Sequence, residues 1–126
     1  MRQAEISSFR GAPLLSVREF YEQNGQKLPG KKGLAMSLEQ AEALLSFAPR
    51  LSAALQARET TEPLELSQKK RVAVSEFKGR VSVDLREYWE KDGDMVPGKK
   101  GISLPADQWD ILCSNLPGLV AALKSA

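Results

Sequence analysis

Phe77-Lys78-Gly79-Arg80-Val81-Ser82-Val83-Asp84-Leu85-Arg86-Glu87-Tyr88-Trp89 alternates Val81, Val83 and Leu85 against Ser82, Asp84 and Arg86 behind a Lys78-Gly79 turn. Period-two alternation is the mark of a half-buried strand. Upstream, Lys70 to Phe77 alternates Val72 and Val74 with polar neighbours and predicts a partner strand. Downstream, Lys91-Asp92-Gly93-Asp94 reads as a turn. Met95-Val96 is then predicted as a short third strand, Pro97-Gly98 as the centre of a type II turn, and Lys100 to Leu104 as a fourth strand. Beyond Leu104 the period changes. Trp109, Leu112, Cys113 and Leu116 fall at i, i+3, i+4 and i+7, the stripe of an amphipathic helix. Pro105 suits its first turn, and Pro117 is expected to break or kink it. The predicted module is β-β-β-β-α, an antiparallel sheet plus a kinked helix in the α+β class.

The same pattern occurs twice. Displaced by 68 positions without a gap, Phe9-Arg10-Gly11 falls on Phe77-Lys78-Gly79, and Arg18-Glu19-Phe20-Tyr21-Glu22 on Arg86-Glu87-Tyr88-Trp89-Glu90. Pro29-Gly30-Lys31-Lys32-Gly33 falls on Pro97-Gly98-Lys99-Lys100-Gly101. In the first copy Ser37 and Gln40 form a capping-box pattern ahead of Leu38, Ala41, Leu44, Leu45 and Ala48, with Pro49 as the expected break. The expected organisation is a first module over 1–58, an acidic connector over 59–68 and a second module over 69–126. A module this small buries too little surface alone, so the copies are expected to dock as a pseudo-symmetric pair. Pro63 and its polar neighbours read as an irregular crossing.

Composition narrows the chemistry. The chain has 126 residues, one cysteine and no histidine, which removes Ser-His and Cys-His machinery and nearly all zinc patterns. No enzyme, metal or cofactor is expected. No apolar run reaches transmembrane length, and Met1 to Glu5 lacks the apolar stretch of a secretory signal, so neither membrane nor secretion is expected. The net charge of +2 divides into +3 over 1–58, −3 over 59–68 and +2 over 69–126. Two basic modules are thus joined by an acidic connector.

The second module resembles the Positive Cofactor Four family of transcriptional coactivators. The resemblance rests on Phe77-Lys78-Gly79, Asp84-Leu85-Arg86-Glu87-Tyr88-Trp89, Pro97-Gly98-Lys99-Lys100-Gly101-Ile102-Ser103-Leu104 and Gln108-Trp109, in order across nearly all of 70–124. The first module, over 4–58, is similar more weakly. The resemblance implies a curved four-stranded antiparallel sheet backed by a helix, a dimeric assembly, and binding of single-stranded or melted DNA on the sheet surface. The DNA-contacting positions it implies are Phe77, Lys78, Arg80, Arg86, Trp89, Lys99 and Lys100. Through the repeat these become Phe9, Arg10, Arg18, Tyr21, Lys31 and Lys32. Ala12 stands where the second copy has Arg80, and Tyr21 where it has Trp89, so weaker binding is expected of the first copy. Family members form dimers from separate chains. Here one chain is expected to equal one dimer, with a homodimer of chains as the alternative. The serine-rich acidic extension common ahead of the module has no counterpart, so regulation through it is not expected.

The residue types suit an unpaired strand, which presents a phosphate per nucleotide and open base faces. Cations along a groove take the first and rings the second, with little sequence preference. The transcription machinery is the other partner implied, and the expected role is that of a transcriptional coactivator or a genome-maintenance factor. Readings of a different kind are a protein-interaction scaffold in transcription and an RNA-binding protein, since stacking and phosphate contacts do not read the sugar. A eukaryotic member would act in the nucleus; otherwise the location is cytoplasmic or organellar. Against these stands the plainer possibility that Phe77 and Trp89 fill the core. Trp109, on the helix stripe, is read as core, and Cys113 as a buried small residue.

Overall fold

A computed structural model describes residues 2–126, apart from the side chains of Phe9, Pro29 and Lys31. Strand β1 runs Arg2–Phe9, β2 Ala12–Gln23 and β3 Gln26–Met36, followed by helix α1, Leu38–Gln56. After the short strand β4, Leu64–Glu65, come β5, Lys70–Phe77, β6, Arg80–Lys91, β7, Asp94–Leu104, and helix α2, Ala106–Ser125. The fold is α+β, with antiparallel sheets ordered β1-β2-β3 and β4-β5-β6-β7. The starts of β5, β6, β7 and α2 lie 68 residues after those of β1, β2, β3 and α1.

The alternation read from the sequence sets the faces. Val72, Val74, Val83 and Leu85 are fully buried, whereas Arg80, the first residue of β6, is exposed. The hairpins β1–β2, β2–β3, β5–β6 and β6–β7 each close through two residues at positive φ: Arg10-Gly11, Asn24-Gly25, Lys78-Gly79 and Asp92-Gly93. That is the mirror-image turn whose twist matches the flanking strands. Glycine supplies the second position at no steric cost.

Three of the expected features do not occur. Each run has three strands of its own, because the Pro-Gly pairs do not turn. β7 passes straight through Pro97-Gly98, and β3 through Pro29-Gly30. Arg86 pairs with Gly101 and Tyr88 with Pro97, so residues 98–100 bulge opposite Glu87. Pro97, which has no N–H for a ladder bond, sits beside that bulge. The glycines serve close approach instead of a turn. A Cβ on Gly101 would stand 2.6 Å from the Leu85 carbonyl oxygen, and one on Gly98 2.9 Å from that of Glu87.

The connector is also not irregular throughout. Leu64 pairs with Val72, Thr61 N–H donates to the Val74 carbonyl at 2.9 Å, and Leu66 is buried. The fourth strand of the second sheet therefore comes from the connector. Finally, Pro49 and Pro117 do not divide the helices. Both prolines are exposed, and buried apolar residues continue past them: Leu51 and Leu55 in α1, Val120 and Leu123 in α2. Core packing on both sides outweighs one lost hydrogen bond. Pro105 is the N-cap of α2, one residue outside it. The Ser37–Gln40 capping box at α1 forms as expected.

One apolar core spans both runs. Trp109 is fully buried where α2 meets α1, and its Nε1 donates to Ser52 Oγ at 2.9 Å. Cys113 Sγ lies 3.9 Å from the same hydroxyl and is half-buried, less enclosed than expected. Lys70 Nζ donates to the Ala35 carbonyl, and Arg2 Nη1 to that of Ser103 at 2.7 Å, so each run reaches the other's third strand.

Candidate nucleic-acid interface

The long hairpins outrun the core. In β6–β7 no residue from Arg86 to Lys100 is buried, and in β2–β3 none of the described residues from Arg18 to Lys32 is. These tips and the short β5–β6 turn carry the residues singled out in the sequence. The large rings there face solvent: Phe77 is 74% exposed, Tyr21 52% and Trp89 50%. The possibility that Phe77 and Trp89 fill the core is thereby removed. At that exposure the Phe77 ring is open to a ligand.

Each ring has cations near it. Lys78 Nζ lies 5.4 Å from the centre of the Phe77 ring, and Arg80 stands exposed across the turn. Arg58, beyond the end of α1, donates from Nη2 to the Gly79 carbonyl at 3.1 Å and adds a guanidinium to this corner. Trp89 shares a shallow recess with Gly98, Lys99 and Lys100. A Cβ on Gly98 would come 3.3 Å from Trp89 Cδ1, so glycine leaves room for the indole. The two lysines thus stand on the bulge of a continuous strand, next to the ring, and not on a turn.

The second run therefore holds two clusters, not one. Phe77, Lys78 and Arg80 lie at one end of β6; Arg86, Trp89, Lys99 and Lys100 lie toward the other. At ~3.3 Å per residue the nine steps from Arg80 to Trp89 span roughly 30 Å. Alternation also sets Trp89 on the side of Val83 and Leu85, past the edge of the core, and Arg86 on the opposite side.

Arg86 is less free than expected. Its Nε and Nη2 donate to the two carboxylate oxygens of Asp84, each at 2.9 Å, and Nη1 to the Gly98 carbonyl at 2.9 Å. Ser103 Oγ also donates to Asp84, at 2.8 Å. The hydrogen bonds to Asp84 push the guanidinium pKa up. Two of its five N–H groups remain for a ligand. In the first run Ser16 occupies the place of Asp84, and Arg18 Nη1 donates to the Gly30 carbonyl at 3.4 Å.

Between the runs, Arg18, Lys70 and Lys100 line one groove of about 430 Å³ with Ser7, Ser16 and Glu87. Burial lowers the Lys70 pKa; Glu87 opposes that shift and Lys100 adds to it. The sequence marks Lys70 only as the start of the partner strand. Its parity with Val72 and Val74, which points it toward the interior face, was the available signal. Arg58 had no signal, because its role depends on where α1 ends. Of the first-run positions, Arg10 and Lys32 are exposed, whereas the side chains of Phe9 and Lys31 lie outside the described residues. Among the described residues no group of three His, Cys, Asp or Glu could hold a metal ion.

A family model described as Transcriptional Coactivator p15 (PC4) matches residues 1–47 and 64–115. The RNA polymerase II transcriptional coactivator KELP of Arabidopsis thaliana is 48% identical over 59 residues, 47% of this chain and 36% of that protein. KIWI of the same plant, also described as an RNA polymerase II transcriptional coactivator, is 43% identical over 59 residues, 47% of this chain and 55% of its own length. The chain thus spans about half or less of these curated relatives. A solved MoSub1–single-stranded DNA complex is 40% identical, covering 55% of this chain and 82% of that one at a TM-score of 0.47.

Proposed function

This chain belongs to the Transcriptional Coactivator p15 (PC4) family, and from that premise we propose that it binds single-stranded or melted DNA with little sequence preference and serves transcription as a coactivator. The observation that carries the reading is the solvent exposure of Phe77, Trp89 and Tyr21 on hairpins that also carry cations. Rings of this kind stack on unpaired bases, at about 1–3 kcal/mol per base. Lys78, Arg80, Lys99 and Lys100 neutralise the backbone, assisted by Lys70 and Arg58. In a eukaryotic cell the site of action is the nucleus. The relatives' description as RNA polymerase II coactivators supports the transcriptional role.

The proposal extends to architecture. The two β-β-β-α runs are copies of one module, paired within one chain in place of a dimer of chains. What supports this is the constant 68-residue offset of the elements, the bulge at the same place in each run, and a family match on both. The first copy binds more weakly, with Ala12 in place of Arg80 and Tyr21 in place of Trp89.

Competition tests the reading. Against a labelled oligo-dT, unlabelled single strand competes at lower concentration than matched duplex, and a matched RNA strand ranks the sugar preference. Equal competition by duplex contradicts the proposal.

A further inference from the structure

Two sheet edges that correspond under the 68-residue offset are covered unequally. On β5 the connector lies along the outer side. Thr61 N–H donates to the Val74 carbonyl and Val74 N–H to Thr61 Oγ1, both at 2.9 Å, and Leu64 pairs with Val72. The N–H groups of Leu66 and Ser67 then reach the Lys70 carbonyl at 2.9 and 3.0 Å. Under this cover Val72 and Val74 are fully buried, and Leu66 joins the core. The corresponding residues on β1 are Ala4 and Ile6. Both stay only partly buried, and β1 is the outermost strand of its sheet among the described residues.

Beside that open edge runs a groove of about 520 Å³ between β1 and α2, with Ala4, Val17, Leu112 and Leu119 among its walls. Ile111, 64% exposed, also lines it. The groove is wide because α2 has Asn115 and Gly118 where α1 has Phe47 and Arg50. A Cβ on Gly118 would meet nothing within 4 Å.

We propose that β1 takes up an extended peptide of a partner protein, of apolar–acidic–apolar pattern, as an antiparallel fourth strand with a large apolar side chain in the groove against Ile111. The inference is independent of the nucleic-acid reading. An uncovered edge offers a row of backbone donors and acceptors for strand addition, with side-chain pockets giving selectivity. The chain's own Leu64-Glu65-Leu66 supplies the template: one apolar residue opposite Val72, an acid opposite Arg71, and an apolar residue entering the core. Charge fits the acidic middle position. In the covered edge Glu65 pairs with Arg71 at 3.3 Å. On the open edge the counterpart of Arg71 is Gln3, which sits between a cation, Lys27 Nζ at 2.6 Å from its Oε1, and the Glu5 carboxylate at 3.4 Å from its Nε2. Arg2 is the one ionisable group lining the groove among the described residues.

The test uses the full chain and a labelled peptide of the connector sequence, Thr61 to Ser67, added in trans. Saturable binding below about 1 mM is expected, falling at least about fivefold when the peptide carries Leu66→Ala. The protein variant N115F/G118R places the residues of α1 in the groove and is expected to lose at least about tenfold, while oligo-dT binding is unchanged. Ala4→Pro removes an outward N–H from the edge and gives a second readout if the filled variant does not fold. Failure to saturate, equal affinity for the filled variant, or displacement of the peptide by oligo-dT overturns the proposal. A dimer of the unliganded chain that the peptide cannot dissociate overturns it too, because the edge then belongs to a second copy.

Discussion

Asp84 and Arg86, two residues apart on one strand, grip each other through a pair of 2.9 Å hydrogen bonds, Nε to Oδ2 and Nη2 to Oδ1. Side chains at i and i+2 share a strand face, so the fork of the guanidinium meets both carboxylate oxygens without leaving the sheet. Gly101 makes room for it: a Cβ there would lie 3.0 Å from Arg86 Cζ. The acid thus fixes a cation on the proposed DNA surface and cancels part of its charge.

A double-mutant cycle separates those effects. Arg86→Ala removes a cation and leaves Asp84 uncompensated, so oligo-dT affinity is expected to fall further than in the double variant D84A/R86A. In stability the pair is expected to couple by about 0.5–3 kcal/mol, read from denaturant midpoints. Additive stability changes, or equal DNA binding by the single and double variants, contradict the pairing described.

The rings are expected to rank by size. Trp89→Ala should lower single-strand affinity by about 1–3 kcal/mol, and Tyr21→Ala by less. Because both side chains are about half exposed, the melting temperature of each variant should stay near that of the parent. A large drop in melting temperature with no change in affinity would assign these rings to packing.

Gly101 and Gly118 give opposite signs for the same substitution. Gly101→Ala drives a Cβ to 2.6 Å from the Leu85 carbonyl oxygen and is expected to destabilise by about 2 kcal/mol or more. Gly118→Ala meets open space inside α2 and is expected to stabilise by roughly 0.4–1 kcal/mol. Thermal unfolding of the two variants reads both.

Burial pushes the Cys113 thiol pKa up, with the Ser52 hydroxyl opposing and Asp110 adding to the shift. A thiol with a raised pKa stays protonated at mild alkaline pH and reacts slowly. Alkylation at about pH 8 is expected to be slower than for a free cysteine peptide, and to reach the peptide's rate in denaturant. The sign for stability follows from linkage. The unfolded chain loses this proton first, so the contribution is present below the ordinary thiol pKa and is lost as pH rises through the raised one.

The local signals were legible and the long-range ones were not. Lys78-Gly79 and Asp92-Gly93 announce their turns because glycine and its neighbour at positive φ are a local matter. Ser37 with Gln40, and the Trp109–Leu112–Leu116 stripe, are equally local. Pro97-Gly98 misled because its turn preference gives way to strand pairing with Tyr88 across a bulge. Leu64-Glu65 was invisible as a strand because two residues carry no period; only contact with Val72 and Arg71 makes them one. At the candidate interface the exposed rings and the paired lysines were readable from residue type and repetition. The Asp84 grip on Arg86 and the approach of Lys70 to Lys100 depend on register and on packing between the runs.

The most direct measurement is titration of a labelled single strand of about 20 nucleotides at several salt concentrations, with the molar mass of the complex determined in parallel. The expected result is a binding constant that falls with salt, at a log-log slope of about −0.7 per phosphate contact with several contacts made, in a complex holding one 13.8 kDa chain. Absent or salt-independent binding, or a complex that forms only with two chains, contradicts a paired-module chain that holds an unpaired strand on its cations and rings.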